Sequence, residues 1–195
     1  MIQLLVATRN VHKTREFAEI LGEGFDVADL SDDASLPLIE EIGGTFVENA
    51  ILKAAGVSQH REGLIVADDS GLEVDALGGA PGIFSARYSG PEATAAANID
   101  KVLREMAGIV ERSARFHCAL ALARAGKLLQ TFEGTVEGTI IDVPRGTGGF
   151  GYDAIFVPEG FEATFAELPA TTKNQISHRA RAIGKMRETL EANRV

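Results

Sequence analysis

The chain has 195 residues, 45% hydrophobic and 24% charged, a mix that suits one globular domain with a real core. Its formal net charge of −9 argues against a dedicated nucleic-acid binder, and a single cysteine, Cys118, excludes an intrachain disulfide and a cysteine-cluster metal site. No apolar run reaches the length of a membrane span and the N-terminal segment lacks a basic secretory start, so a cytoplasmic protein with no membrane role is expected.

Residues 2–7, IQLLVA, predict a buried strand broken by Thr8-Arg9-Asn10. A helix follows with Phe17, Ile20 and Leu21 on one face and Gly22 as its stop. Residues 25–39 read as irregular, with one short strand over Phe25 to Ala28. Thr45 and Glu48 have capping-box spacing at the head of a helix over 45–57, whose stripe is Phe46, Ala50, Ala54 and Val57. Leu64 to Ala67 predicts a buried strand that ends at Asp68 and Asp69. A helix is expected from Glu92 to Met106, ended by Gly108. Residues 115–123 alternate as a strand, Ala125-Gly126 turns, and Leu128 to Phe132 returns. Val136 to Val143 and Ala154 to Val157 predict two more strands, and Ser177 opens a last helix with Ile183, Met186 and Leu190 inside. Alternating helices and strands plus a hairpin predict a mixed α/β sheet.

Five polar segments fall at the ends of these elements. TRNVHK, residues 8–13, offers a helix N-terminus with Arg9 and Lys13 nearby; it suits a phosphate, or it is simply an Asn10 cap with solvated basic neighbours. IEEIGGT, residues 39–45, by itself reads as an acidic surface loop. Asp68 and Asp69 favour a functional reading, because adjacent like charges at a strand end need a cation or a turn, and Mg²⁺ prefers carboxylate oxygen. In GTGGFGYD, residues 146–153, Phe150 suits either a stacked base or the core, and Asp153 suits an acceptor for a ring N–H. In KNQISHRARA, residues 173–182, His178 and Arg179 stand in a first helical turn where the dipole disfavours cations, which points to a ligand. No two histidines have a zinc spacing, and no Walker loop occurs.

Together, ATRNVHK, GGTFVENAILKA, ADDSGLEVDALGGAPGIFSARYSG, GTGGFGYDAIF and ISHR resemble, in order, the signatures of the ITPase/HAM1 family of nucleoside triphosphate pyrophosphatases. The similarity runs over almost the whole chain, and such motifs in one order are highly specific. It implies an elongated mixed sheet flanked by helices, one domain over 1–195 in two lobes with an active-site cleft between them. It also implies Mg²⁺, a nucleoside triphosphate substrate and a homodimer. By resemblance, Thr8, Arg9, Asn10, Val11, His12 and Lys13 wrap the triphosphate, Asp69 is proton acceptor and metal ligand, and Ser70 contacts substrate. Glu40 supplies the second metal carboxylate, with Glu41 one residue away as the other choice, and Asp68 supports Asp69. Phe150 stacks on the purine, Gly151, Tyr152 and Asp153 line the base pocket, Lys173 contacts substrate, and His178 and Arg179 read the base. Lys53 faces the phosphates. The chain departs at His12, where many relatives carry glycine; a histidine there disfavours φ > 0.

The implied reaction is NTP plus water giving NMP and pyrophosphate. Inosine and xanthosine triphosphates present an acceptor at C6 and a donor at N1, the reverse of adenine, which suits donors at His178 and Arg179 and an acceptor at Asp153. Two rivals are a Maf-like pyrophosphatase for other nucleotides, opposed by the SHR segment, and a nucleotide sensor without turnover, opposed by the presence of every acid. An RNA-binding module fails on net charge.

Overall fold

The computed structural model describes residues 1–31, 36 and 39–192. Part of the irregular stretch expected over 25–39 therefore lies outside the described residues. The elements are β1 (Ile2–Val6), α1 (Val11–Leu21), β2 (Phe25–Ala28), α2 (Phe46–Ser58), β3 (Leu64–Val74), α3 (Ala95–Glu105), β4 (Ser113–Arg124), β5 (Lys127–Ile140), β6 (Phe156–Pro158), α4 (Ala170–Ile176) and α5 (His178–Ala192). Strands run in the order β2-β1-β3-β4-β5-β6 in a six-stranded sheet. β1 is parallel to β2 and β3, whereas β5 and β6 are antiparallel, so the sheet is mixed as expected.

Local chemistry explains the boundaries. Asn10 caps α1 by accepting the His12 N–H at 3.0 Å, and Phe17 and Leu21 bury one face. His12 lies inside that helix, so no positive φ is asked of it; among the described non-glycine residues only Ala125 has one. Thr45 caps α2, accepting the Glu48 N–H at 3.1 Å, and the Glu48 carboxylate reaches back to the Gly44 N–H at 2.7 Å. Ala125 (φ 50°) and Gly126 (φ 76°) link β4 to β5 in the two-residue geometry that matches strand twist.

The chain divides into two compact units. Unit 1 holds Met1–Asp69, Cys118–Gly134 and the segment from Arg179 onward. Its core includes Leu4, Val6, Phe17, Val66, Leu120 and Ile183. Unit 2 holds Ser70–His117 and Thr135–His178. Its core includes Leu72, Val102, Met106, Phe116, Phe156 and Phe165, with the Phe116 and Phe156 rings edge-on at 4.7 Å.

Four expectations change. β3 does not stop at Ala67 but runs on to Val74, so Asp68 and Asp69 stand mid-strand; cations described below neutralise them there. β5 is one strand to Ile140 rather than two, because Gly134 keeps the inward alternation between Phe132 and Val136. α3 begins after Thr94, whose hydroxyl accepts the Ala97 N–H at 3.1 Å, rather than at Glu92. A helix over Ala170–Ile176 is not expected from its polar sequence, which carries no apolar period; Ser177, extended between it and α5, does open the last helix as expected.

Gly71 on β3 is demanded by packing. A Cβ there would meet Ser85 Oγ and, at 2.5 Å, the Gly82 carbonyl. Gly71→Ala is expected to destabilise the protein by about 1–3 kcal/mol through overpacking. Thermal unfolding of the purified variant checks this, and an unchanged midpoint would mean that the Gly82–Ser85 turn yields freely.

Candidate active site

Within unit 1 the paired acids of β3 are the centre of a charge chain. Asp68, 2% exposed, bonds Lys13 Nζ through Oδ1 at 2.5 Å and Arg179 Nε through Oδ2 at 2.7 Å. Arg179, 1% exposed, extends the chain to Glu16 Oε2 at 2.5 Å. Burial would raise the Asp68 pKa, but Arg179 and Lys13 overcome it and hold the carboxyl well below the usual range. Burial likewise opposes the Arg179 charge, and Asp68 and Glu16 reverse that, so the guanidinium is held more firmly protonated than usual. Cys118 donates its thiol to Asp68 Oδ2 at 3.4 Å; burial, reinforced by that carboxylate, pushes the thiol pKa well up and leaves it a packing residue.

Asp69, the next residue, has a different environment. Its Oδ1 accepts from Lys53 Nζ at 2.9 Å. Its Oδ2 is buried and has no hydrogen-bond partner among the described residues. Burial pushes the Asp69 pKa up, offset in part by Lys53. Lys53 comes from α2 and also bonds Glu41 Oε1 at 3.2 Å and the Asp68 carbonyl at 2.9 Å. Burial works against its ammonium, but Asp69 and Glu41 prevail and raise its pKa. Lys13 Nζ lies 3.3 Å from that same carbonyl, so one backbone oxygen gathers both ammonium groups.

Of the two glutamates, Glu41 is brought to Lys53 and Glu40 is exposed. A buried carboxylate oxygen without a donor is costly unless a cation or water takes it. Among the described residues no group of three or more His, Cys, Asp or Glu side chains is placed to hold a metal. Mg²⁺ commonly uses only one or two carboxylates plus substrate phosphates and water, so Asp69 with Glu41 fits it.

The 8–13 segment is ordered by contacts within it and beyond it. The Thr8 hydroxyl accepts the Asn10 N–H at 3.1 Å, and Arg9 donates to the Leu36 carbonyl at 3.1 Å. Val11, exposed, opens α1. Thus Asn10 does cap the helix, and Lys13 is the residue of this segment that reaches the acids.

Unit 2 carries the second set. Ser70 follows Asp69 on β3 and is half-buried. Asp153 Oδ2 accepts from the Phe150 N–H at 2.9 Å and from Lys173 Nζ at 2.5 Å. Gly149 has φ +67° and a Cβ there would strike that same carboxylate, so the glycine lets the loop close over Asp153. The Lys173 ammonium lies 4.9 Å from the Phe150 ring centre, and Phe150 is half-buried. Gly151 (φ 60°) turns the chain, and Tyr152 is buried with its hydroxyl on the Ser85 carbonyl at 2.8 Å. The His178 ring, 4% exposed, stacks on Phe116 at 4.8 Å and 12°, not in solvent as a lone helix-end histidine would be.

Lys13, Lys53, Asp68, Asp69 and Arg179 are thus gathered in unit 1, and Phe150 to Asp153, Lys173 and His178 belong to unit 2. Sequence reading missed Glu16, Ser85 and Asn98. Glu16 stands one helical turn after Lys13, but nothing in REFAE separates it from the exposed Glu19.

The Ham1 family profile matches residues 4–189. The chain is 48% identical over 194 residues to the dITP/XTP pyrophosphatase of Bacillus licheniformis, covering 98% of this chain and 99% of that one. It is 49% identical to the enzyme of the same name from Bacillus subtilis, covering 98% of each. Among solved structures, the Staphylococcus aureus Ham1 protein matches with TM-score 0.87 at 38% identity over 98% of this chain and all of that one. A HAM1 protein from Coxiella burnetii matches with TM-score 0.87 at 41% identity, again over 98% and 100%.

Proposed function

The chain belongs to the Ham1 family, and from that premise we propose that it hydrolyses non-standard purine nucleoside triphosphates, ITP, dITP and XTP, to the monophosphate and pyrophosphate. The observation that carries the chemistry is the buried Asp69 Oδ2, without a donor among the described residues, beside an Oδ1 fixed by Lys53.

Asp69 and Glu41 would hold Mg²⁺, with Glu40 as the neighbouring alternative. When bound, the ion supplies charge neutralisation on the phosphate oxygens. Asp69 takes the proton of the attacking water through Oδ2, which accepts from no donor among the described residues. Lys13 and Lys53, held by the Asp68 carbonyl, offset the negative charge that develops on the phosphates. The 8–12 segment follows the triphosphate. Phe150 stacks on the base, and Lys173 paired with Asp153, together with His178, supplies donors for a 6-oxopurine. For Arg179 we favour holding Asp68 and Glu16 over reading the base, since two of its nitrogens already serve those acids. No described helix is long and apolar enough to cross a membrane. On the family resemblance we propose a cytoplasmic homodimer.

The test is pyrophosphate release from ITP, XTP, dITP, GTP, ATP and dTTP, with and without Mg²⁺. Release from ITP and XTP that vanishes with EDTA, with little from GTP or ATP, is expected. Equal rates on all, or a pyrimidine preference, would take Phe150, Lys173 and His178 out of the base-reading role.

A further inference from the structure

Ser85, on the short helical segment Gly82–Arg87 of unit 2, is a crossing point of hydrogen bonds. Its hydroxyl donates to the Gly82 carbonyl at 2.6 Å and accepts the Leu72 N–H of β3 at 2.9 Å. Its carbonyl accepts from Asn98 Nδ2 at 3.3 Å and from the Tyr152 hydroxyl at 2.8 Å. Asn98 comes from α3, where it stands on the buried face beside Ile99 and Val102. Its amide also donates to the Ala86 carbonyl at 3.2 Å, and its Oδ1 accepts the Ser89 N–H at 2.8 Å.

An apolar residue at 98 would match the rest of that buried face. A polar side chain kept at 5% exposure is costly unless fully bonded, and this amide makes three bonds to one stretch of backbone. Such an arrangement fixes where the Ser85 carbonyl points. One of that oxygen's two lone pairs goes to Asn98, and the other is aimed at Tyr152, which sits between Phe150 and Asp153 in the glycine loop.

We propose that Asn98 and Ser85 are positioning residues for the 146–153 loop, acting through the Tyr152 hydroxyl. They hold the loop in the one arrangement in which Phe150 stacks on a base; this rests on the functional reading above. Tyr152 then works from its buried end as a mooring.

The test uses Tyr152→Phe, Asn98→Ala and the double variant of the full chain. KM and kcat for ITP, amide hydrogen exchange over residues 146–155 and thermal unfolding are measured. Tyr152→Phe keeps the ring and removes only the hydroxyl, so it remains informative if Asn98→Ala does not fold. It is expected to raise KM about fivefold, the effect of one lost hydrogen bond, with kcat within about twofold and faster exchange in the loop. Asn98→Ala should act in the same direction, and the double variant should be no worse than the worse single, because both work on one carbonyl. A purely structural role would lower the unfolding midpoint and leave KM unchanged, which overturns the proposal. So would unchanged exchange in Tyr152→Phe, or fully additive effects on KM. If the unaltered chain releases no pyrophosphate from ITP, it is the functional reading that fails, and the exchange measurement alone then decides the mooring.

Discussion

Asp69→Asn is expected to lower kcat for ITP by about a thousandfold or more, within the range for losing a positioned base together with a metal ligand, while the fold persists. The fold persists because an asparagine oxygen can still accept from Lys53 Nζ, as Asp69 Oδ1 does at 2.9 Å. What disappears is the negative charge and the basicity of Oδ2, the buried oxygen with no donor among the described residues. Lys53 keeps Glu41 and the Asp68 carbonyl, so its ammonium stays in place and the loss is local. Circular dichroism and unfolding midpoint establish the fold, and a pyrophosphate assay across Mg²⁺ concentrations separates the two roles. Recovery at high Mg²⁺ would leave Asp69 as a ligand alone. Turnover within about tenfold of the unaltered enzyme would remove it from the chemistry.

Arg179→Met should be the most destabilising of these changes, by about 3–5 kcal/mol, because it leaves two buried carboxylates without their shared cation. Asp68 and Glu16 meet on that guanidinium at 2.7 and 2.5 Å, at a depth where Arg179 is 1% exposed. Asp68 would keep Lys13 but lose the larger of the two attractions that hold its pKa down. For a chain of this size the unfolding midpoint should fall by about 10 °C. Arg179→Lys should recover only part of this, since a single ammonium cannot reproduce a fork that reaches two acids. If Arg179→Met instead raised KM for ITP with its midpoint unchanged, the residue would be a reader of the base, and the buried clamp would be incidental.

The identity of the site residues was legible because each motif carries its own local signal. The capping spacing of Thr45 and Glu48 positions α2 and with it Lys53 one face further on. The pair Asp68-Asp69 stands out as two charges in an apolar run, and the glycines around Phe150 mark a loop with a special path. Less legible were the partners. Nothing along the chain says that Glu16 lies under Arg179, or that Asn98 reaches Ser85, because those contacts join residues 163 and 13 positions apart.

From its sequence alone, this protein's α/β class, most of its strands and helices, and the membership of its acid, lysine and glycine-loop motifs in one family were determined. These depend on short-range patterns, namely apolar periodicity, caps and turns, which are written in adjacent residues. Only the tertiary structure decided that β3 continues through the acids, that Glu41 rather than Glu40 meets Lys53, and that Asp68 and Asp69 have opposite characters. The reason is electrostatic. A carboxylate's character depends on which cations lie within a few ångströms and how much water is excluded, and the chain brings those neighbours from α1, α2 and α5 only on folding.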